Sequence, residues 1–259
     1  MKISDVLLLL AAGTLGGIFS TVVSVASLVT YPVLLALGVP PLSANMTNTV
    51  SLVLTGAGSV AGSRPELEGQ GRRVLRLAAI TALGGAAGAA VLLAAPAGSF
   101  ALVVPVLIAA ASAVLLIGPA IKKRRELTER TGRAGEPSGE PGLARRVALF
   151  AVAMYVGYFG AAAGIMLLVV LSGMIDEPLV RVNAIKNAVS GAANAMAAVC
   201  FALFGDVRWK LVVPLAAGFL IGGWIGPAIA RRVPAQAFRV FVAACGLGLA
   251  TKLGLSAYR

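Results

Sequence analysis

The sequence predicts an all-α polytopic membrane protein made of two inverted-topology helical repeats, each with a broken or re-entrant leading segment. Three observations predict it: the apolar content, an internal duplication, and the distribution of basic residues between corresponding loops. Of the 259 residues, 59% are hydrophobic and only 12% are charged, with a mean hydropathy of +0.93. A soluble domain carries about a quarter charged residues, so this chain requires lipid as part of its solvent. The 31 glycines and 13 prolines lie within the apolar stretches as well as between them. Membrane helices tolerate this because neighbouring helices satisfy the freed backbone groups.

A span takes roughly 20 apolar residues. Segments that meet this are 5–37, 42–62, 74–95, 99–121, 147–173, 182–204, 211–230 and 237–256. The first, behind Lys2, reads as a retained segment and not a cleaved leader, because so many further spans follow. The one long polar stretch, 122–146, opens with Lys122-Lys123-Arg124-Arg125 and ends with Arg145-Arg146, with Gly135, Pro137, Gly139, Pro141 and Gly142 between. That composition makes a solvated basic connector. It divides the chain into a first repeat, 1–121, and a second, 147–259.

The two halves align when displaced by 138 positions. Asn45 falls on Asn183, Leu77 on Leu215, Gly84-Gly85 on Gly222-Gly223, Gly88 on Gly226, Pro96-Ala97 on Pro234-Ala235 and Phe100 on Phe238. Shared spacing of this kind marks a duplication. The loop from Arg64 to Arg76 holds four arginines against two glutamates, while the Pro96 loop holds no charge. In the second half the balance reverses: Arg231, Arg232 and Arg239 surround Pro234, and the turn at Gly205–Lys210 is nearly neutral. Lys and Arg collect on the cytoplasmic side, so corresponding loops face opposite sides and each repeat crosses an odd number of times. Parity then requires one interrupted segment per half. The segments 5–37, with Gly13, Gly16, Gly17 and Pro32, and 147–173, with Gly157, Gly160 and Gly164, are the expected sites. Irregular backbone at membrane depth survives where it lines a cavity or is buried in protein.

Composition also excludes chemistries. Net charge is +12, but basic residues beside short loops reflect orientation, so nucleic acid is not an expected partner. There is no histidine, and Cys200 and Cys245 lie in separate apolar segments. No metal site, haem or thiol motif can be assembled from them, and no cofactor is expected. All ten acidic residues fall in loops or at segment ends, which removes a carboxylate relay or paired-carboxylate hydrolysis inside the bilayer. An enzyme is therefore not expected.

What the spans do contain is hydrogen-bond donors. Asn45, Thr47, Asn48, Thr49 and Ser51 open one segment, and Asn183, Lys186, Asn187, Ser190 and Asn194 open its counterpart. Donors near a helix start, where free N–H groups also lie, attract an anion, although capping and interhelical bonding use the same residue types. Lys186 is the one basic residue inside an apolar span, and a desolvated ammonium marks a functional position unless it snorkels to the interface. Tyr31, Tyr155 and Tyr158 fit an interfacial aromatic belt better than a cavity. The two Gly-x-x-x-Gly faces, Gly84 to Gly88 and Gly222 to Gly226, are packing surfaces.

Several pieces in order resemble the sulfite exporter TauE/SafE family, also called 4-toluene sulfonate uptake permeases. These are Gly16-Gly17-Ile18-Phe19-Ser20 with Pro32 downstream, Gly157-Tyr158-Phe159-Gly160, Lys186-Asn187, Gly205-Asp206-Val207-Arg208-Trp209, Gly222-Gly223-Trp224-Ile225-Gly226, and Arg231-Arg232-Val233-Pro234 before Phe238-Arg239. The resemblance covers nearly all of the chain outside 122–146. It implies a transporter of small sulfur-containing anions, such as sulfite, sulfoacetate or other organosulfonates. The chain departs from the family where a glycine cluster often precedes the first-half proline: Ser24, Val25, Ala26 and Ser27 stand there. In the second half only Gly164 stands beside Ala161, Ala162 and Ala163.

The expectation is a multi-pass bacterial inner-membrane transporter with a central anion site between its repeats. Lys186 supplies charge, with Asn45, Asn48, Thr49, Asn183, Asn187, Ser190, Ser24 and Gly164 around the substrate. Its partners are then the small anion and the lipid bilayer, with a homodimer left open. Transport of another small anion, or a scaffold whose halves merely pack, are the alternatives.

Overall fold

The computed structural model describes residues 2–113 apart from 97 and 101, residues 142–230, and five isolated positions beyond. Among the described residues there is no strand. The helices are α1 Ile3–Val23, α2 Ala26–Ala36, α3 Pro41–Gly62, the single turn α4 Arg64–Leu67, and α5 Gly71–Ala94. They continue with α6 Leu102–Ala113, then α7 Leu143–Tyr158, α8 Ala163–Ser172, α9 Leu179–Phe204 and α10 Trp209–Ala230. Four of these (α1, α5, α9 and α10) are long and apolar enough to cross a membrane. Helix α3 has 22 residues but carries the polar string from Ser43 to Ser51, and it hides that string inside the protein, where Asn45, Thr47, Asn48, Thr49 and Ser51 are all buried. Leu7, Leu15, Leu83, Val147, Leu203, Val213 and Trp224 instead face outward, as a lipid-solvated surface requires.

Both leading segments are broken. Helix α1 ends where Ser24 adopts φ 64°, and α8 begins after Ala162 at φ 55°, the non-glycine residues with positive φ in the described chain. The two positions are 138 residues apart, the displacement that aligns the two halves of the sequence. The left-handed region costs a side-chain-bearing residue on the order of 1 kcal/mol or more, so the same kink is held in both halves by surrounding packing. The glycines and proline expected to cause the interruption act differently. Gly13, Gly16 and Gly17 stay within α1, and Pro32 is accommodated inside α2. A Cβ on Gly13 or Gly17 would run into the backbone of α10, so these positions serve close helix approach. In the second half Gly157 ends within α7 against Gly85, while Gly160 (φ 70°) does sit in the break.

The two halves of the chain interlock crosswise. Helix α1 packs on α10, and its counterpart α7 packs on α5; α3 packs on α10, and its counterpart α9 on α5; α3 and α9 meet each other directly. The glycine faces make these approaches possible: Gly84 and Gly88 abut the α7 backbone, and Gly222 abuts that of α1. Two polar clusters fix the helix ends. Ser43 Oγ donates to Asp206 Oδ2 (2.7 Å) and the Arg208 N–H donates to Thr47 Oγ1 (3.0 Å), which places the start of α3 at the α9–α10 turn. Gln70 and Arg73 at the start of α5 both donate to Glu177, which also accepts from Arg181, so the start of α9 lies at the α3–α5 connection. Counterpart helices α3 and α9 therefore run in opposite directions.

Most of the connector expected at 122–146, and most of the span expected at 237–256, lies outside the described residues. Residues 143–146, expected in the connector, already form the first turn of α7.

Candidate functional site

The two breaks meet at the centre. A Cβ on Gly164, in the first turn of α8, would strike the Ser24 side chain, so the two kinks touch. Around them lies a cavity of about 50 Å3, several times the roughly 10–15 Å3 that one water needs. Helices α1 and α2 contribute Ser20, Ser24 and Ser27; α3 contributes Thr49, Leu52, Thr55, Gly56 and Ser59. Val156, Phe159, Gly160, Ala163 and Gly164 close it from the second break, and α9 contributes Lys186, Asn187, Ser190, Gly191 and Asn194. Gly56 and Gly191 lie Cα against Cα where α3 crosses α9, which lets both helices present hydroxyls and amides to one small space.

Lys186 dominates the electrostatics. It is only 1% exposed, and its Nζ donates to Ser24 Oγ at 2.6 Å. An ammonium carries three donors, and no carboxylate is among the cavity residues. A positive group held by a neutral hydroxyl in a low-dielectric surround attracts an anion strongly. Seven hydroxyl-bearing residues share the wall with it. Thr55, itself 4% exposed, has a hydroxyl with no hydrogen-bond partner among the described residues.

Six of the nine residues expected to bind substrate line this cavity: Lys186, Asn187, Thr49, Ser190, Gly164 and Ser24. The other three lie outside its lining. Asn45 Nδ2 donates to the carbonyl of Tyr158 (3.0 Å), and Asn183 Nδ2 donates to that of Thr21 (3.2 Å). Each asparagine thus reaches across to the end of the other repeat's first helix and satisfies a carbonyl the break has freed. Asn48 stands behind the wall, with Thr30 Oγ1 donating to its Oδ1 and its own Nδ2 donating to Ser27 Oγ (3.2 Å). On α3 and α9 the residues that line the cavity begin in the third turn, at Thr49 and Lys186, while Ser24 and Ser27 reach it from the α1–α2 break. Ser27, Thr55 and Ser59 were missed because their hydroxyls carry no periodic signal distinct from ordinary helix packing.

The tyrosines differ from the aromatic-belt expectation. Tyr31 is buried edge-on to Phe159, with ring centroids 5.8 Å apart, and Phe100 packs edgewise on both Phe159 and Tyr158. Tyr155 donates its hydroxyl to the Ala161 carbonyl (3.0 Å). The rings pack around the second break, and the Tyr155 hydroxyl satisfies one carbonyl within it.

Two broken helices meet at a buried, lysine-bearing cavity inside a multi-pass helical membrane protein, an arrangement suited to a membrane transporter. The comparison with known families agrees: the model described as sulfite exporter TauE/SafE matches residues 9–253, and the chain belongs to that family. No curated protein and no solved structure matches it. Membership in a transporter family accords with the composition-based expectation that the chain is not an enzyme.

Proposed function

We propose that the chain carries small sulfur-containing anions, with sulfite, sulfoacetate and other organosulfonates as the class, across a bacterial inner membrane. The carrying observation is Lys186: a buried ammonium group, bonded to neutral Ser24 within a cavity of hydroxyls and amides, lacks the counter-charge that a substrate anion supplies. The family's name supports sulfur chemistry, and the cavity's size suits the smaller members of the class.

On this reading the halves are inverted repeats, supported by the opposite directions of α3 and α9, and the central cavity opens alternately to the two sides. The crosswise packing lets one set of helices rock against the other while the kinks at Ser24 and Ala162 stay at the site. Thermal stabilisation of the purified chain by a panel of sulfite, sulfoacetate, sulfate and small carboxylates tests it. We expect sulfite and sulfoacetate to raise the melting temperature of the unsubstituted chain and not of Lys186→Ala. A larger response to carboxylates would assign another anion, and no response to any of them would favour a scaffold.

A further inference from the structure

We propose that the substrate anion is gripped chiefly by hydroxyl protons, those of Ser24, Ser27 and Thr55, and that Asn48 is a positioning residue that aims one of them. This rests on the anion site proposed above and assigns its ligands.

The polarity of the hydrogen bonds carries it. Lys186 can only donate, so Ser24 Oγ must accept from it, and the proton of Ser24 is left for the cavity that its side chain lines. Ser27 repeats the arrangement. Thr30 Oγ1 lies 2.5 Å from Asn48 Oδ1 and 3.1 Å from the Ala26 carbonyl, so its single proton goes to the nearer acceptor and turns the Asn48 amide so that its Nδ2 donates to Ser27 Oγ; Ser27 Oγ thus accepts, and its proton is left for the cavity that the residue lines. Donation into each oxygen polarises its O–H and makes it a stronger donor. Thr55 adds the independent observation: a buried cavity-lining hydroxyl with no partner, a group that normally persists only where something else bonds it. Three donors and one cation with no carboxylate select an oxyanion whose head presents several acceptor oxygens.

Sulfite binding by the purified full-length chain, measured calorimetrically beside the melting temperature of the ligand-free protein, provides the test. Thr55→Val keeps the side-chain shape and removes an unsatisfied hydroxyl. We expect its ligand-free melting temperature to hold or rise while sulfite affinity falls about ten- to hundredfold. A purely structural threonine would not move the two readouts in opposite directions. Ser27→Ala should weaken binding comparably, and Asn48→Leu should weaken it in the unsubstituted chain but not further in Ser27→Ala. Additive losses would remove Asn48 as a positioning residue. Unchanged affinity in both Thr55→Val and Ser27→Ala would overturn the assignment while leaving the anion site itself standing. Failure of the unsubstituted chain to bind sulfite would overturn both.

Discussion

Lys186 on α9 and Ser24 at the α1–α2 break meet at 2.6 Å, joining the buried basic residue of the chain's second half to the kink in its first. Ser24 holds φ 64°, a conformation in which glycine is unstrained and serine is not. Ser24→Gly therefore relieves strain of about 1 kcal/mol while removing the acceptor that orients the ammonium. We expect the variant to fold with a melting temperature at or above that of the unsubstituted chain and to bind sulfite at least about tenfold more weakly, as read by calorimetry. Unaltered affinity would mean that the contact does not position Lys186.

Asn45 and Asn183 make the reciprocal bonds between repeats. Asn183→Ala leaves the Thr21 carbonyl unpaired at a helix end, and we expect a loss of about 1 kcal/mol, in the range of interhelical bonds in membrane proteins. Sulfite affinity should change little, because neither asparagine lines the cavity. A lowered melting temperature with intact binding is the expected pair; loss of binding at equal stability would return Asn183 to the site.

That distinction shows how much the sequence disclosed. The broken leading segments and the buried Lys186 were legible because they rest on the length of the apolar runs and on a charge inside one of them. The division of labour among Asn45, Asn48, Asn183 and Asn187 was not, because an amide reads the same whether it meets a ligand or a carbonyl 113 positions away. The kinks were likewise assigned to the glycines of α1, although helix packing uses those glycines and the break falls at Ser24. What decides this is the approach of α10, a contact between residues some 200 positions apart that no local pattern encodes.

Glu177, at the turn into α9, is held below the usual carboxylate range, first by its hydrogen bond from Arg181, which outweighs the opposing effect of desolvation, and then by the Gln70 bond and the charges of Arg181 and Arg73. A carboxyl whose folded value is depressed contributes stability above its unfolded value, about 4.3, and loses it as pH falls through the folded value. Glu177→Gln should therefore melt lower than the unsubstituted chain at neutral pH, with the gap closing below about pH 4. The pairs are partly exposed, so the gap should be small and shrink with added salt. A gap that persists at acid pH would show that the cluster acts through packing and not through charge.

Arg72 and Lys210 are counterparts at the starts of α5 and α10. The proposed inverted arrangement puts them on opposite faces of the membrane. With Cys200 and Cys245 replaced, a single cysteine at 72 should react with an impermeant maleimide only after the membrane is opened, while one at 210 should react in intact cells. Equal labelling of both from one side would contradict the inverted arrangement.

The most direct measurement is sulfite flux into proteoliposomes carrying the unsubstituted chain or Lys186→Ala, with matched amounts of folded protein. We expect saturable flux from the first and only the leak of empty liposomes from the second. Equal flux from both would contradict a transport site organised around Lys186.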